Sequence, residues 1–332
     1  MTRGWGAVVP PALMIFCFCA GHNNPPAIAK DEITVAVTDS GLGGLSIMAD
    51  AAARLQSAGL YKKANLVFFN ALFSNDSGYN SLPSREAKIR VFDSALRSLE
   101  TNFHPDVILV GCNTLSVLLP DTPFARTAKT PIRGIVEPGA ARLAEAWRKT
   151  PAATVILFGT ETTIAEGAHR ARLIELGVPG EKIIVQSCPE LASYIESAPA
   201  GEDTGLLISS YVDEALARLP SPAPLILAGL VCTHYGYARE AWSKAFAEKG
   251  IALMDIINPN NRLVDTLFPA EMKKRFPRTE IAARVVSMVE ITENKRRSLG
   301  EWLERASPEV AAALRSYALQ PDLFEWAPAP RK

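Results

Sequence analysis

The sequence has no surplus of either charge: 35 Lys and Arg stand against 35 Asp and Glu in 332 residues. Without a basic stripe, no nucleic-acid partner is expected. Beyond the N-terminus no apolar run reaches the ~20 residues that a membrane-spanning helix needs. Cysteine is scarce, limited to Cys17, Cys19, Cys112, Cys188 and Cys232. No Cys-x-x-Cys or His-x-x-x-His spacing occurs, so neither a zinc site nor a disulfide-stapled scaffold is indicated and no metal ligands are assigned. The turn Gly41-Leu42-Gly43-Gly44 misses the GxGxxG spacing and no phosphate-loop lysine follows it, which argues against nucleotide binding.

What is present begins with a leader. Residues 1–6 carry Arg3 and no acid, residues 7–20 are apolar, and a polar stretch then runs into Ala27-Ile28-Ala29. That order is the pattern of a secretory signal cleaved after a small residue, here Ala29. The mature chain is therefore expected in the periplasm or outside the cell, free of the membrane. A start codon assigned too far upstream would instead leave it in the cytoplasm. Removing the leader leaves three cysteines, and thiols kept for chemistry are the better reading of that odd number.

Hydrophobic residues make up 48% of the chain, enough apolar surface for two ordinary domains. Strands are expected at residues 33–38, 66–69, 107–110 and 132–136, with helices at 45–55, 85–99 and 140–147. A second series places strands at 154–158, 183–185, 225–230 and 251–255, with helices at 163–176, 204–219 and 237–249. A strand at 282–291 and helices at 297–303 and 309–319 follow, before a tail read as poorly ordered. Strands alternating with helices make an α/β protein with mostly parallel sheets. The expected architecture is two similar lobes, each a mostly parallel sheet flanked by helices, with the active site in the cleft between them. Residues 30–131 and 235–320 are assigned to the first lobe and 132–234 to the second, with 1–29 as the leader and 321–332 as the tail.

Two cysteines stand out. Val107-Ile108-Leu109-Val110 runs into Gly111-Cys112-Asn113-Thr114, and Leu225-Ile226-Leu227-Ala228-Gly229-Leu230 runs into Val231-Cys232-Thr233-His234. Continuous apolar runs of this kind are buried parallel strands. Ligands of open α/β sheets bind outside the carboxyl ends of such strands, so both thiols fall where a ligand sits. A matched pair suggests one acid/base group for each face of a substrate carbon. Plainer readings exist for single residues. Free cysteine is often a core residue, and Cys188 is read that way. Asp39-Ser40 also suits a helix N-cap. His104 and His169 are read as surface residues, and Glu137 before Pro138 as part of a turn.

Taken in order, Asp39-Ser40-Gly41-Leu42-Gly43-Gly44, Cys112-Asn113-Thr114 and Cys232-Thr233-His234-Tyr235 resemble the motifs of glutamate racemase, of the cofactor-independent aspartate/glutamate racemase superfamily. Val136-Glu137-Pro138-Gly139-Ala140, Gly159-Thr160 to Thr163, and Cys188-Pro189 followed by Glu196 are similar to its intermediate segments. The resemblance covers residues 33–303. It implies racemisation of an amino acid by 1,1-proton transfer at the α-carbon, with no cofactor. Cys112 and Cys232 would be the acid/base pair, with Asp39 beside Cys112, His234 beside Cys232, and Glu196 near the pocket. Ser40, Asn113, Thr114, Thr163 and Thr233 would hold the substrate's amino and carboxylate groups. Family members commonly form dimers, so a homodimer is expected, and activity should need reduced thiols.

One stretch departs from the family. The Asp-Thr and Pro-Tyr-Gly usual in its first lobe are absent, and residues 70–80 read Asn70-Ala71-Leu72-Phe73-Ser74-Asn75-Asp76-Ser77-Gly78-Tyr79-Asn80. That loop contacts substrate in the family, so Tyr79 and Asn80 are the candidates here. Glutamate is the first-choice substrate. Racemases of aspartate or a related acid, and a non-catalytic periplasmic binding protein of the same fold, remain open beside it.

Overall fold

The computed structural model describes residues 30–219 and 225–326. The leader and residues 327–332 lie outside the described residues. The chain opens with β1 (Glu32–Asp39), α1 (Leu45–Ala58), β2 (Lys63–Asn70), α2 (Arg85–Phe103), β3 (Val107–Val110), α3 (Asn113–Leu118), α4 (Pro123–Thr127) and β4 (Ile132–Gly134). It crosses into a second unit through α5 (Val136–Arg148), then forms β5 (Thr154–Gly159), α6 (Glu161–Glu166), α7 (Ala168–Glu175) and β6 (Ile183–Ser187). That unit continues with α8 (Leu191–Ser197), α9 (Glu202–Leu216), β7 (Ile226–Val231), α10 (Arg239–Glu248), β8 (Leu253–Ile257) and α11 (Asn260–Asp265). The chain returns to the first sheet with β9 (Glu280–Ser287), α12 (Glu293–Ala306), α13 (Pro308–Arg315) and β10 (Ala318–Leu319).

The strands form a six-stranded sheet, β10-β9-β2-β1-β3-β4, and a four-stranded sheet, β6-β5-β7-β8. Every pairing is parallel. This follows from the residues: β3, β5 and β7 are buried along their whole length, which suits apolar strands covered by helices on both faces. The order β2-β1-β3-β4 recurs as β6-β5-β7-β8, so the weak repeat in the sequence is a repeat of topology. In each sheet the order reverses at the first strand of its series, between β1 and β3 and between β5 and β7. A ligand crevice opens at such switch points. Asp39 and Cys112 leave the sheet at one of them, and Thr160 and Cys232 at the other.

Several expectations are corrected. β4 belongs to the first sheet and β8 to the second, so the expected lobe limits at residues 131/132 and 234/235 do not follow the strand partition. The strand expected at 132–136 ends at Gly134, and α5 already includes Glu137 and Pro138, because proline in a first helical turn loses no hydrogen bond. The helix expected at 163–176 is two helices broken at Gly167, whose φ of 66° is left-handed. His169 is 2% exposed, with neither ring nitrogen hydrogen-bonded, so it is not a surface residue. His104 caps α2 with a φ of 44° and is exposed. Glu137 pairs with Arg172.

Residues 321–326 of the tail, expected to be poorly ordered, pack against the first lobe. Leu323 and Phe324 are buried, Gln320 N donates to Ser287 O at 2.8 Å, and Trp326 stacks on Phe73 at 5.0 Å between ring centroids. Phe73 in turn meets Tyr79 edge-on at 5.3 Å. The chain's end thus buttresses the loop that departs from the family pattern. Among the described residues no helix is long and apolar enough to cross a membrane.

Candidate active site

The two thiols sit on different lobes. Cys112 follows β3 of the six-stranded sheet and Cys232 follows β7 of the four-stranded sheet; each is 5% exposed and unbridged. Cys188 is also free, and it packs within the core. The loop after β1 joins the two halves. Ser40 Oγ lies 3.0 Å from Cys112 Sγ, while Thr233, the residue after Cys232, donates its hydroxyl to Asp39 Oδ2 at 2.8 Å. This loop must approach closely: a Cβ on Gly43 would overlap Thr233 Oγ1 and come within 2.8 Å of the His234 backbone nitrogen.

Each thiol has its own electrostatic partner. Asp39 is wholly buried, and burial lifts its carboxyl to about 6 against the pull of His234 and the Thr233 hydroxyl. Burial, reinforced by the Asp39 charge, pushes the Cys112 thiol well up, so Cys112 rests protonated. Cys232 Sγ lies 3.7 Å from His234 Nδ1. Burial alone would discharge His234, but its bonds to Cys232 and Glu196 raise it well above the ordinary imidazole value. His234 Nε2 bonds Glu196 Oε1 at 2.7 Å. Burial would lift the Glu196 carboxyl, yet His234 and Lys295 together hold it at about 2. The two halves of the site are therefore set differently.

Around the thiols, Thr114 Oγ1 lies 2.8 Å from Thr160 Oγ1 and 3.4 Å from Thr163 Oγ1, bringing α3 against α6 across the cleft. Asn113 and Tyr79 are each 2% exposed; both Asn113 amide atoms and the Tyr79 hydroxyl lack a partner, as does Asp39 Oδ1. Buried polar atoms are normally paired, so this cluster suits a small polar ligand. Burial, with Cys112 nearby, raises the Tyr79 hydroxyl well above its ordinary value. Asn80 sits at the rim, where its Oδ1 accepts from Thr162 Oγ1 at 2.7 Å and Thr162 N at 3.3 Å. Lys88 donates to the same hydroxyl at 2.7 Å.

Of the twelve candidates from the sequence, Ser40 meets Cys112, Thr114 meets Thr163, Thr233 meets Asp39, His234 meets Cys232 and Glu196, and Asn80 meets Thr162, while Tyr79 and Asn113 are buried. Sequence reasoning missed Thr160, Thr162, Lys88 and Lys295. Thr160 was within reach, since it is the N-cap of α6, accepting from Thr163 N. The others carry no local signal. Among the described residues no group of three or more His, Cys, Asp or Glu could hold a metal ion.

A glutamate racemase from Paracoccus denitrificans is 27% identical over 228 residues, which cover 64% of this chain and 77% of that protein. One from Lysinibacillus sphaericus is 25% identical over 203 residues, 60% of this chain and 69% of that one. Among solved structures, glutamate racemase from Campylobacter jejuni aligns with a TM-score of 0.61 at 20% identity, over 82% of this chain and 98% of that chain. The Francisella tularensis enzyme, solved in complex with D-glutamate, aligns with a TM-score of 0.60 at 19% identity, over 87% and 96%. No family model matches the chain. The chain is thus similar in sequence to glutamate racemases across most of these relatives' lengths, and it shares their two-sheet α/β fold.

Proposed function

We propose that this protein racemises glutamate, or a closely related acidic amino acid, by proton transfer between Cys112 and Cys232 with no added cofactor. The observation that carries the reading is the pair of buried free thiols on opposite lobes, each at a strand end and each with its own ionisable partner. Cys232, as thiolate beside the His234 imidazolium, takes the α-proton from one face of the substrate. Cys112, as thiol, gives its proton to the opposite face. The carbanion becomes the other enantiomer, and Cys112 ends as thiolate and Cys232 as thiol; once product has left, Cys232 gives its proton to solvent and Cys112 takes one from solvent, which resets the pair.

An amino-acid α-proton is very weakly acidic, so the developing carboxylate charge needs fixed donors in a site closed to water. We assign that role to Asn113, Tyr79, Ser40, Thr114 and Thr163, with Thr233 beside them, its hydroxyl donated to Asp39. Relatives solved with D- or L-glutamate support a small acidic substrate. The reading also takes the active form to be a homodimer exported by its leader. Sedimentation as a monomer, or an intact Met1 on the mature protein, would remove those two parts.

The test is racemisation of each glutamate enantiomer followed by circular dichroism, in reducing buffer, for the wild type, Cys112→Ser and Cys232→Ser. A single positioned acid or base contributes about 10²–10⁴ in rate, so each variant should lose at least 100-fold. A wild type that binds glutamate without racemising it would leave the binding-protein reading in its place.

A further inference from the structure

Glu196 ties the His234 half of the site to the other lobe. It lies on α8, beside the four-stranded sheet. Its Oε1 takes Leu42 N at 2.7 Å as well as His234 Nε2, and its Oε2 takes Lys295 Nζ at 2.7 Å. Leu42 belongs to the loop after β1, and Lys295 to the first turn of α12, which packs on α1 and α13 over the six-stranded sheet. Two of the three bonds to this carboxylate therefore come from the opposite lobe. The Lys295–Glu196 pair is largely buried, at 29% and 7% side-chain exposure. A chain of contacts results: Lys295, Glu196, His234, Cys232. Asp39 is the other ionisable group whose charge reaches both His234 and Glu196.

We propose that Lys295 is a positioning residue for Cys232: by fixing the Glu196 carboxylate across the closed cleft, it holds the imidazole of His234 against the thiol. The inference rests on the two-thiol reading only for its effect on turnover; its effect on Cys232 itself can be read without any substrate. Lys295 touches neither thiol and acts through two intervening groups. Without it, Glu196 Oε2 loses a charged donor in a buried position, and the carboxylate is free to turn from His234. Hydrogen bonds to charged groups are worth enough to change an equilibrium by about tenfold.

The experiment compares wild type, Lys295→Met and Lys295→Arg. Iodoacetamide labelling across pH, with peptide mass spectrometry to separate Cys232 from Cys112, gives a profile for each thiol, and a thermal melt checks the fold. Lys295→Met should move the Cys232 profile up by about one pH unit, the equivalent of a tenfold change, and leave that of Cys112 in place. It should also lower kcat about tenfold with little change in KM. Lys295→Arg, which keeps the charge and the donor, should restore both. An unchanged Cys232 profile in a folded Lys295→Met, or equal shifts at both thiols, overturns the proposal while leaving two-thiol racemisation intact. A wild type that racemises nothing removes the functional reading instead, and the labelling profiles still decide the role of Lys295.

Discussion

Replacing Asp39 by Asn should make the protein more stable and less active, by an amount that depends on pH in a defined direction. Asp39 is wholly buried, Oδ1 has no hydrogen-bond partner within normal distance, and Oδ2 accepts the Thr233 hydroxyl. Burial lifts its carboxyl from 3.8 to about 6. Between those values the folded chain holds a proton that the unfolded chain has released, so this group's contribution to stability falls as pH rises. Above 6 the loss is complete, at roughly 3 kcal/mol from 1.36 kcal/mol per pKa unit. Asparagine keeps the shape and can still accept from Thr233, but carries no charge. Asp39→Asn should therefore exceed the wild type by roughly 3 kcal/mol at pH 8, and the gap should close toward pH 4. Urea unfolding followed by far-ultraviolet circular dichroism at several pH values gives the difference directly, provided the slope m is unchanged. Racemase activity should fall together with the rise in stability, as expected when a site retains a destabilising group for function. A stability difference that does not vary with pH, or a wild type more stable than the variant at pH 8, would refute the burial argument.

Other expectations follow from particular residues. Gly43→Ala should cut activity by at least tenfold, measured as initial racemisation rate, because its Cβ meets Thr233 and the His234 backbone and must push the lobes apart. His169 is buried without partners and its imidazole is pulled down to about 4, so the unfolded chain takes up a proton first as pH falls. Up to about 3 kcal/mol should be lost between pH 6.5 and 4. His169→Leu should abolish that acid-dependent loss in urea titrations, and an unchanged pH dependence would show the histidine to be hydrated.

The parts of this molecule that were legible in the sequence are those set by short-range pattern. The apolar runs at 107–110 and 225–230 read as covered strands, which β3 and β7 are, and that located both thiols at strand ends. The glycine-rich turn after β1 was legible as a turn, though its second duty, lying against His234, depends on a contact with residues about 190 positions away. The helix break at Gly167 was visible as a glycine but not as a left-handed one, because helical patterns tolerate an isolated glycine. The start of the tail, residues 321–326, was misread for a different reason. Proline and aromatics suggest disorder by composition, yet Phe324 packs on Phe69 and Trp326 on Phe73, partners that only the fold supplies. Lys295 is the extreme case: nothing near it in the chain marks it, and its partner Glu196 lies 99 residues away.

The most direct test of two-thiol proton transfer is the fate of hydrogen during the first turnovers in heavy water. L-glutamate carrying protium at its α-carbon would be incubated with the reduced protein, without pyridoxal phosphate, and both enantiomers followed by proton NMR and mass spectrometry. With Cys232 and Cys112 acting on opposite faces, newly formed D-glutamate should carry deuterium from the start, while the unreacted L-glutamate keeps its protium. D-glutamate that retains the original protium would mean one group serving both faces, and no exchange with glutamate or aspartate would mean that these thiols do not perform this chemistry.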